Sequence, residues 1–110
     1  MADIKHINGQ AEFDEATKAA KVVLIDFTAT WCGPCRALGP ILEQIATEYP
    51  PEKVRLFKVD VDENNALSNK FGITAVPAVG IFKDGKMQGG LVVGLRQKGD
   101  YKAAIEKLLK

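Results

Sequence analysis

The chain has 110 residues, of which 46% are hydrophobic and 26% charged, a composition typical of one soluble globular domain spanning residues 1–110. Lysine and arginine total 15 and aspartate and glutamate 14, so the net charge is +1. This balance argues against dedicated binding to nucleic acid or to an anionic membrane. The apolar runs are far shorter than the roughly 20 residues of a membrane-spanning helix, and the first six residues lack the apolar segment of a secretory signal.

In the first half of the chain, hydrophobic periodicity predicts strands and helices in alternation. The predicted elements are a short edge strand at 4–7, a helix at 12–20, a strand at 22–28 and a helix at 34–49. The strand at 22–28 is β-branched and apolar on both faces, as in a central strand that is covered on each side. Pro40 lies within the second helix and should kink it.

The second half of the chain contains a hairpin and a final amphipathic helix. The predicted elements are a strand at 54–61, a short helix at 66–71, strands at 78–82 and 87–93, and a helix whose apolar face spans 101–108. Asp84-Gly85 is a strong signal for a tight turn between the last two strands. Helical crossovers imply parallel pairing of the first strands, and the hairpin implies antiparallel pairing of the last two. We therefore expect an α/β fold with three α/β/α layers, in which four helices flank a central mixed five-stranded sheet.

Both cysteines of the chain lie in the segment Trp31-Cys32-Gly33-Pro34-Cys35, where the predicted central strand meets the long helix. A purely structural disulfide closing so short a loop would contribute only roughly 2 kcal/mol. A zinc site normally needs four ligands, and His6, the only histidine, lies in another element, so only a site shared between molecules remains for a metal. The spacing favours a third interpretation, a reversible dithiol/disulfide pair.

The position of this pair at a helix start suits redox chemistry. Side chains at i and i+3 lie roughly 5–6 Å apart between Cβ atoms, so a small adjustment brings the sulfurs to bonding distance. Free backbone N–H groups and the helix dipole should lower the thiol pKa of Cys32 and make it the attacking thiolate. Cys35, one turn further along, should be more shielded and act as the resolving thiol. Gly33 leaves room for a partner, and Pro34 stiffens the first turn.

The segment from Asp26 to Cys35, Asp-Phe-Thr-Ala-Thr-Trp-Cys-Gly-Pro-Cys, resembles the active-site segment of the thioredoxin family. Its Phe-Thr-Ala-Thr run is similar to that of the eukaryotic cytosolic members. The resemblance extends from about Val22 to the C-terminus, through Lys58-Val59-Asp60-Val61-Asp62, Val76-Pro77, Phe82-Lys83-Asp84-Gly85 and Val93-Gly94. It implies the thioredoxin fold and a redox-active Cys32–Cys35 disulfide. Two departures are Ala78, where the family usually has threonine, and Gly80 within an expected core strand.

The resemblance also implies roles for two charged residues. Asp26 is implied as the proton acceptor for Cys35, and burial in a central strand would raise its pKa into a useful range. The alternative is an aspartate at a solvated strand end. Lys58 matches the family lysine near this carboxylate, and the alternative is an ordinary exposed strand lysine.

A substrate-docking surface is the third implication of the resemblance. Pro77 is implied as a cis proline facing the cysteines, although most X-Pro bonds are trans, and Val76 would offer backbone hydrogen bonds to an extended substrate. Trp31 is expected to be a partly exposed wall beside Cys32 rather than a core aromatic. The residues that match the family's apolar docking surface are Trp31, Gly33, Pro34, Val76, Gly94 and Leu95.

These features together predict a general protein-disulfide reductase. The resemblance implies recycling by thioredoxin reductase and NADPH, disulfide-containing proteins as substrates, and a cytoplasmic monomer. We expect no bound cofactor or metal, since the chain has no Gly-x-Gly-x-x-Gly motif or phosphate loop. Two alternatives stay open: a disulfide isomerase or oxidase domain, whose relatives often carry histidine where Pro34 stands, and a redox-independent binding module.

Overall fold

A mixed β-sheet between two pairs of helices organises the protein, whose computed structural model describes residues 4–110. The strands are β1 (Lys5–His6), β2 (Val22–Thr28), β3 (Val54–Asp60), β4 (Ala78–Lys83), β5 (Lys86–Met87) and β6 (Val92–Val93). The helices are α1 (Gly9–Ala16), α2 (Gly33–Thr47), α3 (Asn65–Lys70) and α4 (Lys98–Leu109). The predicted α/β architecture with four helices is confirmed.

The strand order is β1-β3-β2-β4-β5, and β6 also pairs with β4. β3 pairs in parallel with both β1 and β2, whereas β4 is antiparallel to β2, β5 and β6. In this register Asp26 on β2 lies between Lys58 on β3 and Val79 on β4. The predicted combination of parallel crossovers and an antiparallel hairpin is confirmed, and Asp26 belongs to the centre of the sheet.

Each face of the sheet has its own apolar core. Because side chains alternate along a strand, Val22 and Leu24 pack on the side of α2 and α4, whereas Val23, Ile25 and Phe27 pack on the other. The core under α2 and α4 includes Leu38, Leu42, Ile45, Tyr101 and Ile105. Asp26 continues the row of Val22 and Leu24, so its carboxylate lies on the face covered by α2 and α4.

The last predicted strand, 87–93, is present only at its two ends, as β5 and β6. Gly89 has φ 68°, a left-handed conformation that an extended strand does not contain, so the Gly89-Gly90 pair interrupts the strand. The sheet therefore has six strands, two of them two-residue pieces of the expected fifth. The tight turn before it is as predicted, because Asp84 and Gly85 have φ 55° and 78°, both positive as in a type I′ turn.

Several helix ends differ from the predicted bounds. α1 begins at Gly9 rather than at 12 and ends at Ala16 rather than at 20. Its first turn is closed by Glu12, whose carboxylate accepts a 2.9 Å hydrogen bond from the backbone N–H of Asn8. α2 continues through Pro40, which lies on the exposed side of the helix.

Candidate active site

The cysteine pair lies where the loop after β2 enters α2. Cys32 is the N-cap residue, with extended backbone angles of φ −93° and ψ 116°, and its sulfur accepts a 3.2 Å hydrogen bond from the backbone N–H of Cys35. The two sulfurs are joined in a disulfide, with the Cα atoms 5.2 Å apart. Gly33 and Pro34 form the exposed start of the helix. The helix N-terminus therefore directs a donor N–H at the sulfur of Cys32.

The disulfide is covered by small apolar groups. Both cysteines are only 5% exposed and pack with Ala29, Val61 and Val76. The sequence predicted that Cys35 would be the more shielded of the two, and the oxidised structure does not bear this out, because the disulfide draws both sulfurs under the same cover. The asymmetry between the cysteines lies in hydrogen bonding at the helix N-terminus rather than in exposure.

The loop before β4 approaches the disulfide from the opposite side. The Val76–Pro77 peptide bond is cis, and the carbonyl oxygen of Val76 lies 3.6 Å from the sulfur of Cys32. The backbone N–H of Gly94 donates a 2.8 Å hydrogen bond to the carbonyl of Pro77. The segments that contain Val76 and Gly94 are thereby held together beside the disulfide.

Asp26 is fully buried, and within residues 4–110 neither of its carboxylate oxygens has a hydrogen-bond partner. It does not lie at a solvated strand end. Desolvation raises the pKa of this carboxyl from its ordinary value of 3.8 to about 7, and the positive charge of Lys58 acts in the opposite direction. A carboxyl with such a pKa exchanges protons near neutral pH, as a general acid or base must.

Lys58 is half-buried beside a cavity rather than fully exposed. Register places it next to Asp26 on the neighbouring strand, but the structure has no ion pair between them within 4 Å in the part of the chain that it describes. The cavity has a volume of about 320 Å³, and Cys35, Lys58 and His6 are among the residues that line it. Lys58 thus acts on Asp26 through its charge, and it shares a water-accessible space with Cys35.

Trp31 is 67% exposed, and its indole N–H donates a 2.8 Å hydrogen bond to the carboxylate of Asp62. Trp31 and Val76 line a shallow groove of about 110 Å³ with residues 73–75. On the Gly94 side, Leu95 is 44% exposed and Val93 46% exposed. Large apolar side chains that are exposed next to one another usually mark an interaction surface.

Three residues of the site were not singled out from the sequence. Asp62 fixes the tryptophan across 31 positions of sequence, and Val93 adds to the exposed apolar area. Tyr101 is buried, and its hydroxyl accepts a 3.1 Å hydrogen bond from the backbone N–H of Arg96 and lies 3.4 Å from the carbonyl of Gly94. The sequence offered a signal for Val93, an apolar residue next to Gly94 and Leu95, whereas Asp62 lies in a segment of the family resemblance that does not mark it as the partner of Trp31.

Comparison with known proteins identifies the family. The family model described as Thioredoxin matches residues 4–107. The chain belongs to the thioredoxin family. A thioredoxin of Mycoplasmoides gallisepticum is 44% identical over 84 residues, which cover 76% of this chain and 82% of that protein. A thioredoxin of Coprinus comatus is 36% identical over 107 residues, 97% of this chain and 95% of that protein.

Solved structures of thioredoxins have the same fold. A mutant thioredoxin from Halobacterium salinarum has a TM-score of 0.90 at 38% identity, with 98% of this chain and 92% of that chain covered. A Plasmodium falciparum thioredoxin has a TM-score of 0.82 at 35% identity, with 94% and 98% covered. The predicted thioredoxin fold is confirmed by these neighbours.

Family membership and the cysteine pair make the chain a thiol–disulfide oxidoreductase that acts as a protein-disulfide reductase and redox carrier. Its substrates are proteins that carry disulfides, and thioredoxins work without a bound cofactor. Residues 4–110 hold no cluster of histidine, cysteine or acidic residues that could bind a metal ion. Over the same range, no helix is long and apolar enough to cross a membrane.

Proposed function

We propose that the chain is a general protein-disulfide reductase in which Cys32 attacks, Cys35 resolves, and thioredoxin reductase restores the dithiol with electrons from NADPH. The observation that carries this proposal is the Cys32–Cys35 disulfide at the N-terminus of α2, beside a buried carboxyl whose pKa is raised to about 7. In the reduced protein Cys32 can supply the nucleophile, and at the same pH the carboxyl of Asp26 can take up a proton.

In the first step, the thiolate of Cys32 attacks one sulfur of the substrate disulfide. A bond forms between Cys32 and that sulfur, the substrate S–S bond breaks, and the other substrate sulfur leaves as a thiolate that takes a proton from water. The N-cap position supports this role, because the Cys35 N–H already donates to the Cys32 sulfur and helix N-termini stabilise negative charge.

In the second step, Cys35 transfers its proton to Asp26 and attacks the sulfur of Cys32. The S–S bond of the mixed disulfide breaks, and the second substrate sulfur leaves as a thiolate that takes a proton from water. Asp26 returns the proton of Cys35 to water, and the two electrons pass from the protein, now a Cys32–Cys35 disulfide, to the substrate, now a dithiol. Burial of Asp26 supports the transfer, because it makes the carboxylate a stronger base. The positive charge of Lys58 opposes the rise in the pKa of Asp26, so Lys58 is the partner that adjusts this pKa.

The docking surface consists of Trp31, Gly33, Pro34, Val76, Gly94 and Leu95, to which we add Val93. Exposed apolar side chains and a backbone carbonyl beside the disulfide support this assignment. An extended substrate segment would bond to the backbone of Val76 next to Pro77, as strands recognise peptides by main-chain hydrogen bonds. A shallow apolar surface suits many protein partners rather than one small ligand.

The setting of the reaction completes the proposal. A reductase needs a compartment that keeps thiols reduced, which favours the cytoplasm. We take the working unit to be a monomer in which residues 1–110 form one domain. The match of the family over residues 4–107 and the continuous sheet support a single domain.

Turnover of insulin tests the reductase activity. With NADPH and a thioredoxin reductase, the protein should reduce insulin disulfides at a rate proportional to its concentration, and a Cys32→Ser variant should be inactive. A protein that binds substrates but never consumes NADPH would instead be a redox-independent binding module. A reduction potential near that of the oxidising relatives, well above about −270 mV, would indicate an oxidase or isomerase.

Trapping tests the roles of the two cysteines. A Cys35→Ser variant should accumulate mixed disulfides with its substrates through Cys32, because the resolving thiol is missing, and thiols such as dithiothreitol should release them. The matched Cys32→Ser variant should trap nothing under the same conditions. Equal trapping by both variants would contradict the assigned order of attack.

A further inference from the structure

The rim of the docking surface carries two arginines that are fixed in place. Arg36 donates a 2.9 Å hydrogen bond from Nη1 to the carbonyl of Thr30, next to Trp31. Arg96 donates a 3.3 Å hydrogen bond from Nη2 to the carbonyl of Val93, next to Gly94. Both arginines are exposed, and each guanidinium has five donors. Each side chain is therefore held by its backbone contact and still has N–H groups free for a partner.

Arg96 is held a second time through its backbone. The hydroxyl of Tyr101, itself buried, accepts the Arg96 N–H at 3.1 Å, so α4 anchors the segment that carries Leu95 and Arg96. A side chain that is already ordered loses less conformational entropy when it binds. Arg96 is thus prepared for contact with a group that approaches over Leu95.

Neither arginine has an ion-pair partner in the described part of the chain. The ion pairs within 4 Å among residues 4–110 both belong to Glu48, with Lys98 and Lys102. Three carboxylates near the arginines accept hydrogen bonds from other groups: Asp62 from the indole of Trp31, Asp60 from the N–H groups of residues 62 and 63, and Asp100 from the N–H of Gln97. Glu43 lines the same cavity as Arg36 but forms no ion pair with it. The rim therefore offers two open positive charges although the chain as a whole carries a net charge of only +1.

We propose that the docking surface prefers protein disulfides flanked by acidic side chains, with Arg36 and Arg96 as the specificity-determining residues. Guanidinium groups bind carboxylates through paired hydrogen bonds. The apolar residues of the docking surface, which lie between the two arginines, would contact the uncharged part of the substrate segment. This preference rests on the proposed reductase function and adds to it the chemical class of the favoured substrate.

The test compares three synthetic peptides of one length, each containing the same disulfide flanked on both sides by glutamate, glutamine or lysine. The pre-reduced protein is mixed with each peptide, and the released thiols are measured by chromatography to obtain second-order rates. At about 0.01 M salt the Debye length is about 30 Å. Under these conditions each arginine should raise the ratio of the glutamate-peptide rate to the glutamine-peptide rate about threefold. The preference should vanish at about 1 M salt, where charges are screened within about 3 Å.

Single and double substitutions assign the preference. Arg36→Gln and Arg96→Gln should each lower the glutamate-to-glutamine rate ratio about threefold, and the double variant should abolish the preference. The third arginine of the chain provides a matched control, because Arg55 lies near the start of β3, away from the end of the sheet that carries the cysteines. Arg55→Gln removes the same charge and should leave the ratio as it is.

Several results would overturn the proposal. Equal rates for the glutamate and glutamine peptides would exclude a preference for acidic flanks while leaving the reductase function intact. A fall in the ratio of the same size in Arg55→Gln would assign the effect to net charge rather than to the docking surface. Failure to reduce any of the three peptides would instead refute the reductase function, and this proposal with it.

Discussion

Replacing Asp26 with asparagine changes the charge of the most deeply buried ionisable side chain while nearly preserving its shape. In the wild type, the carboxylate has no hydrogen-bond partner among residues 4–110 and lies in the centre of the sheet. Ionisation of Asp26 therefore requires more free energy in the folded protein, where the carboxyl is desolvated, than in the unfolded chain, where it is hydrated. The variant should gain stability relative to the wild type as the pH rises, because it has no carboxyl to ionise.

The size of the gain follows from the pKa of Asp26, which burial raises from 3.8 to about 7 in the folded state. The stability that the protonated carboxyl contributes is fully present below pH 4, falls between pH 4 and pH 7, and is gone above the folded pKa. One pKa unit corresponds to about 1.4 kcal/mol, so the wild type should lose about 4 kcal/mol across this window. The buried amide of the variant costs a further constant amount, about 1–3 kcal/mol, that does not depend on pH.

Urea unfolding of the oxidised wild type and variant between pH 4 and pH 9 measures the effect. The free energy of unfolding of the variant minus that of the wild type should rise by about 4 kcal/mol and level off above pH 8. Disulfide-bonded cysteines do not titrate, so they do not contribute. Asp14→Asn, which removes an exposed carboxylate of α1 by the same substitution, is the matched control. A difference for Asp26→Asn that does not change with pH, or a rise of the same size for Asp14→Asn, would refute burial of the Asp26 carboxyl as the cause.

Three further substitutions test the packing around the site by urea unfolding. Asn64→Ala should lower the free energy of unfolding by about 2–3 kcal/mol. The buried amide accepts a hydrogen bond from the N–H of Gly9 at 2.9 Å and donates one to a β3 carbonyl at 3.0 Å. A loss under about 0.5 kcal/mol would show that water replaces both bonds. Tyr101→Phe should lower the free energy of unfolding by about 1 kcal/mol and should speed hydrogen exchange of the Arg96 amide, which donates to the tyrosine hydroxyl. An unchanged exchange rate at Arg96 would contradict the anchoring role of the hydroxyl. Leu42→Ala in the core under α2 should cost about 2–5 kcal/mol, with a smaller loss indicating that the helix collapses onto the cavity.

The sequence predicted the fold well wherever one local pattern was decisive. The apolar run of β2, the Asp84-Gly85 turn and the helix at the cysteines were all placed correctly, because each depends on residues close together in the chain. The ends of α1 and the break between β5 and β6 were not. Two adjacent glycines weaken a strand without requiring a break, and whether Gly89 adopts a positive φ is decided by its surroundings.

The same distinction applies to the site. Cys32 and Cys35 belong to one motif, so their disulfide could be expected from spacing alone, whereas their equal burial depends on Val61 and Val76 from distant segments. The indole bond to Asp62 spans 31 residues and has no local signal. Asp26 shows how the two kinds of information combine. A lone charge in an apolar strand predicts an acid with a perturbed pKa, and the family resemblance predicts Lys58 near it. The strand register then places Lys58 directly opposite Asp26, where its charge opposes the rise in pKa. Local sequence thus specifies the reacting groups, and tertiary contacts specify the pH range and the partners with which they react.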